Sequence, residues 1–88
     1  MKPGERFVIS FPAQPTAGYT WFEKHDPQAL KVIRANDFRA AGAAPGAGGE
    51  EEFEFEAVTA GETTLELEYR REWESSPRET RTYRVRVG

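Results

Sequence analysis

The chain has no cysteine and only one histidine among its 88 residues. Without cysteine there is no disulfide, no thiolate metal site and no cysteine nucleophile. A hydrolytic nucleophile needs a base and a group that orients it, and His25 is the sole imidazole available. It falls in a predicted turn, His25-Asp26-Pro27-Gln28, and is expected at the surface. Long apolar runs are also missing. None approaches the roughly 20 residues a membrane-spanning helix needs, so no membrane partner is expected. Met1-Lys2-Pro3-Gly4 opens no apolar run of the signal-peptide type. As written, the chain is expected in the cytoplasm, or in a secreted or periplasmic location if a leader has been removed. Positive charge is scarce as well: 12 Lys and Arg stand against 15 Asp and Glu, for a net charge of −3. A nucleic-acid surface needs a basic stripe with exposed aromatics, and no such partner is expected. A calcium site would cluster Asp and Asn in a loop, where only Asp26 and Asn36-Asp37 offer them. The glycine-rich stretch lacks the lysine and following helix of a phosphate loop. No cofactor, no metal and no enzymatic activity are expected.

What is present is period-2 alternation, the signature of half-buried strands. It predicts six strands: Arg6 to Phe11, Tyr19 to Lys24, Leu30 to Phe38, Glu50 to Val58, Thr63 to Arg70 and Glu79 to Val87. A short helical turn around Pro27 to Leu30 is an option. Phe7, Ile9 and Phe11 share one face of the first strand, and Trp21 anchors the second. Phe53, Phe55 and Ala57 point inward from the fourth, Thr63, Leu65, Leu67 and Tyr69 share a face of the fifth, and Tyr83, Val85 and Val87 point inward from the sixth. Short strands with no helical stripe point to an all-β antiparallel sandwich or barrel. At this length it is one domain, residues 1–88, with a modest core that removes about 60–65% of the unfolded surface from water. Charge is segregated along it. Residues 50–68 hold eight of the 15 acidic side chains, and residues 70–86 hold six of the 12 basic ones. Glu52, Glu54, Glu56, Glu66 and Glu68 are read as a solvated face paired with Arg84 and Arg86.

If each strand spans the sandwich and successive strands run antiparallel, connections one-to-two, three-to-four and five-to-six emerge at the same end. These hold the unusual sequence. The first is Gln14-Pro15-Thr16-Ala17-Gly18-Tyr19, where proline fixes φ and Gly18 permits a positive φ. The second, residues 39–49, holds five alanines, four glycines and one proline, and ends in Gly46-Ala47-Gly48-Gly49, whose bare backbone can lie against another protein. It can equally be a plain linker. The third carries Arg71-Glu72-Trp73, and tryptophan is a residue type that dominates interface energies, unless it folds back on the sandwich as an anchor. Variable loops on a rigid scaffold present a binding surface.

In order and in spacing, the three loops resemble the chagasin family of cysteine-peptidase inhibitors. That family carries Asn-Pro-Thr-Thr-Gly-(Tyr/Phe), then Gly-x-Gly-Gly, then Arg-Pro-Trp. The similarity extends over roughly residues 4 to 87, including Tyr19-Thr20-Trp21 and Ala60-Gly61-Glu62-Thr63-Thr64-Leu65. It implies an immunoglobulin-like sandwich that reversibly and non-covalently inhibits papain-like cysteine peptidases. The 14–19 loop would enter the active-site cleft, with Thr16 approaching the catalytic cysteine. The 46–49 and 71–73 loops would grip its sides, Trp73 packing beside the cleft. Gln14 replaces the family's Asn, Ala17 its second Thr, and Glu72 its Pro. The family pattern also implies a further strand before Arg6, so a six-stranded version is expected here. Such a version exposes an edge at strand one or six, which predicts a monomer capable of weak edge-paired dimerisation. The reading that competes with inhibition is a non-inhibitory immunoglobulin-like adhesion or ligand-binding module.

Overall fold

The alternating segments form six strands in a computed structural model that describes residues 1–14, 18–40, 42 and 48–88. They are β1 (Arg6–Ala13), β2 (Thr20–Lys24), β3 (Leu30–Ala40), β4 (Gly49–Ala57), β5 (Gly61–Arg70) and β6 (Glu79–Val87). Two three-stranded sheets result, in the orders β1-β4-β3 and β2-β5-β6, with every pairing antiparallel. The inward rows meet in one core of Phe11, Ala13, Trp21, Leu30, Phe53, Phe55, Leu65 and Leu67. Trp21 bridges the layers. Its ring lies 4.8 Å from both Phe11 and Tyr69, and its Nε1–H donates to the Pro12 carbonyl at 3.0 Å. The fold is thus the expected all-β sandwich. Between β2 and β3, the Leu30 and Ala29 N–H groups both donate to the Asp26 carbonyl, and the Asp26 side chain accepts from the Gln28 N–H at 2.9 Å. This closes the turn anticipated at Pro27.

Antiparallel pairing throughout sends the β1–β2, β3–β4 and β5–β6 connections to one end. The β2–β3 and β4–β5 connections meet at the other, where the Val58 N–H donates to the Ala29 carbonyl and the Thr59 hydroxyl to the Gln28 carbonyl.

Two features depart from expectation, and a third goes beyond it. The first is the charged face. Glu52, Glu54 and Glu56 belong to one sheet and Glu66 and Glu68 to the other, because β4 and β5 cross between layers rather than pair. Arg34 bridges Glu52 and Glu54 and also meets Asp37, Arg6 pairs with Glu56, and Lys24 with Glu68. Arg84 and Arg86 both reach Glu62 instead. These contacts raise the Arg34 pKa above its ordinary value, led by the hydrogen bonds to Glu52 and Asp37. The second is His25. It is half-buried, with its ring edge-on to Phe55 and its Nδ1 against the Glu23 carboxylate, rather than a free surface side chain. The third is Glu51, which lies in the inward row of β4 and is 3% exposed. Burial of a carboxylate is tolerated only when donors surround it. Here the Thr20 hydroxyl (2.8 Å), the Trp21 N–H (3.3 Å) and the Asn36 amide (2.8 Å) all point at it. Asn36 can do so because β3 breaks register twice between Val32 and Asp37, which leaves Asn36 at φ +53°. Asparagine tolerates that conformation better than most side chains. This network ties β4 and β3 to β2.

Candidate functional site

The end that carries the three connections is built from strand termini. Gly49 starts β4 between Ala13 of β1 and Ala40 of β3. A Cβ at Gly49 would overlap the Arg39 carbonyl oxygen and sit 2.7 Å from the Phe38 ring, so only glycine lets the strands meet there. In the other sheet, Thr20 opens β2 opposite Arg70, and Glu79 opens β6 opposite Tyr69. The loop bases therefore converge. The Gln14 N–H donates to the Tyr69 hydroxyl at 3.0 Å, joining the first loop to the sheet that carries the third. The Gln14 side chain lies against Gly48, where a Cβ would come within 3.3 Å of its Nε2. Gly18 has φ +81°, the left-handed conformation anticipated for it. Tyr19 stacks on Tyr69 with centroids 5.3 Å apart. The guanidinium groups of Arg71 and Arg78 lie 4.7 and 5.3 Å from the centre of the Tyr19 ring, which places two cations at an aromatic surface. A shallow groove runs between Gln14, Tyr19, Gly48, Tyr69, Arg78 and Glu79.

The third loop is a tight turn. The Glu74 N–H donates to the Arg71 carbonyl at 3.1 Å, and the Glu74 carboxylate accepts from the Arg71 N–H at 3.1 Å. Glu72 and Trp73 occupy its two central positions. Trp73 is 77% exposed, which removes the folded-back anchor as an account of it. The Arg71 guanidinium lies 5.9 Å from its ring. Arg70, at the end of β5, holds the turn from below. Its Nη1 lies 3.3, 3.2 and 3.2 Å from the carbonyl oxygens of Arg71, Glu72 and Glu74, its Nε meets the Glu68 carboxylate at 3.4 Å, and its plane covers the Phe22 ring at 4.0 Å.

Of the site residues expected from sequence, the structure brings Gln14, Gly18, Tyr19, Gly48, Gly49, Arg71, Glu72 and Trp73 to this one end. Pro15, Thr16, Ala17, Gly46 and Ala47 lie outside the described residues. Sequence reasoning missed Arg70, Tyr69 and Arg78 as site residues. Tyr69 carried only a core signal, and Arg70 only that of an outward position in a basic stretch. The described residues of this end include no histidine, and the described part of the chain has no group of three or more His, Asp or Glu side chains placed to hold a metal. The arrangement can present backbone and aromatic surface.

The family model for chagasin family peptidase inhibitors matches residues 1–87. The chain belongs to the chagasin family. Chagasin-family chains are peptidase inhibitors and not enzymes, and that is what this one is. The crystal structure of the cysteine protease inhibitor EhICP2 from Entamoeba histolytica is similar in fold. Its TM-score is 0.87 at 22% identity, covering 100% of this chain and 83% of that one. The solution structure of amebosin matches with TM-score 0.67 at 26% identity, over 99% of this chain and 82% of that one. No curated protein sequence matches.

Proposed function

We propose that this chagasin-family chain inhibits papain-like cysteine peptidases reversibly and non-covalently. In this reading the 14–19 loop enters the cleft, and the 46–49 and 71–73 loops grip its sides. The observation that carries it is Trp73, presented 77% exposed on a hydrogen-bonded turn at the same end as Gln14, Gly18 and Gly48. Tryptophan is among the residue types most enriched at interface hot spots, and this one stands beside the other two loops. The chain has no cysteine with which to trap the enzyme's thiol, and a blocking loop needs no scissile bond. Gln14, Ala17 and Glu72 replace the Asn, Thr and Pro of the family pattern and adjust the fit. The inhibitor acts as a monomer. The two sheets end in β1 and β3 and in β2 and β6, and the edges expected to pair, β1 and β6, carry Pro12 and the exposed Arg84 and Arg86. Prolines and charges of this kind limit edge pairing to high concentration.

The test is titration of papain, and of a cathepsin, with the purified protein and a fluorogenic substrate, followed by dilution and mass spectrometry. Stoichiometric inhibition, full recovery of activity and an intact inhibitor are expected. No inhibition at micromolar protein would overturn papain-like enzymes as the target class. A stable acyl-enzyme would overturn the non-covalent reading.

A further inference from the structure

We propose that Arg70 is a positioning residue for Trp73: its guanidinium clamps the third loop in its binding shape before any peptidase arrives. This rests on the function proposed above and names the side chain that prepares the loop for it. An exposed turn has few packing contacts, and ordering it at the moment of binding lowers affinity. Here one side chain beneath the loop adds to the turn's own Arg71–Glu74 hydrogen bonds. Nη1 faces three main-chain carbonyl oxygens, those of Arg71, Glu72 and Glu74, on both sides of Trp73. Of these, the Arg71 carbonyl also accepts the Glu74 N–H, while those of Glu72 and Glu74 would otherwise turn to water independently. A shared cationic donor holds them on one side, and the loop's side chain is thereby directed away from it. The donor is itself fixed. Nε meets Glu68, two residues back on the same face of β5. The guanidinium plane lies on Phe22, the diagonal neighbour on β2, since Thr20 faces Arg70 and Phe22 faces Glu68 in the register. Phe22 is an aromatic on the outer face of the sheet with no place in the core, and the stack gives it a role. Lysine could not reproduce the arrangement. Its ammonium is a point charge without the planar fork that meets a carboxylate on one edge, carbonyls on another and a ring on its face.

The experiment measures two quantities for wild type and for Arg70→Lys, alone and combined with Trp73→Ala or Glu72→Pro. One is the dissociation constant for papain. The other is amide hydrogen exchange at Glu74 in the free protein, whose N–H closes the turn. Arg70→Lys is expected to speed that exchange severalfold with the melting temperature little changed, and to raise Kd roughly 5- to 20-fold, the effect of ordering one or two groups on binding. The Kd effect should fall below about twofold in the Trp73→Ala background, because nothing remains to be positioned. Glu72→Pro should recover part of the loss, since proline suits the first central position of such a turn. Equal losses with and without Trp73 would overturn the proposal and make Arg70 a direct contact. Unchanged Glu74 exchange would overturn it too. If wild type fails to inhibit papain, the function reading fails, and the exchange arm still decides whether Arg70 orders the loop.

Discussion

Replacing Trp73 by alanine should separate binding from stability almost completely. In the free protein the side chain is 77% exposed, so its removal takes little packing from the sandwich. Stability should stay within about 0.5 kcal/mol, as for surface positions generally. Binding is different. A tryptophan offers on the order of 200–250 Å² of surface, of which about 150–190 Å² is here open to a partner. At roughly 25 cal/mol per Å², covering it contributes about 4 kcal/mol. Ordering the side chain at the interface subtracts about 0.5–1.5 kcal/mol. The loss expected on truncation is therefore about 2.5–3.5 kcal/mol, or about 70- to 350-fold in Kd. The approach of Arg71 to the ring adds little at an exposed site. The assay pairs the inhibition constant for papain with thermal unfolding of the free inhibitor. A loss of affinity below about fivefold would mean that Trp73 stays in solvent in the complex. A fall in melting temperature beyond about 5 °C would mean that it supports the free fold.

Glu51→Ala should do the reverse. It leaves the buried donors of Thr20, Trp21 and Asn36 without their acceptor. The expected cost is about 2–4 kcal/mol, seen as a melting temperature lowered by roughly 10–25 °C. Gly18→Ala forces a side chain into φ +81°. That costs roughly 1–2 kcal/mol of conformational energy, and it should appear as a higher inhibition constant with a modest loss of thermal stability. Glu72→Pro in the wild-type background should tighten papain binding by about 2- to 5-fold, through a less mobile free loop. The effect should disappear when Trp73 is alanine. Light scattering should show monomer at micromolar concentration, with any self-association confined to the millimolar range. A micromolar dimer would refute the account of β1 and β6 as guarded edges.

The strands, the two faces of each strand and the clustering of three loops at one end were legible in the sequence, because each follows from a local rule. Alternation with period 2 sorts Phe7, Ile9, Phe11, Phe53 and Phe55 from their polar neighbours whatever the strands later pair with. An even succession of antiparallel strands then sends alternate connections to one end. The candidate loops were legible through composition: the Gly18 turn, the glycines before β4 and a tryptophan among polar residues. The tertiary structure decided whatever depends on which strands become neighbours. Glutamates that alternate identically on β4 and β5 belong to different sheets, so Arg34, Arg6 and Lys24 meet them and Arg84 does not. Glu51 obeys the alternation, yet its burial is tolerable because Thr20 and Trp21 of β2, and Asn36 turned inward by the bulged β3, all donate to it. Arg70 is one more outward cation in the sequence. It becomes the support of the Trp73 turn because β2 brings Phe22 alongside and the chain reverses directly above it. Hydrogen-bond partners and side-chain stacks are set by distances between segments far apart along the chain, and a period read along one strand carries no record of them.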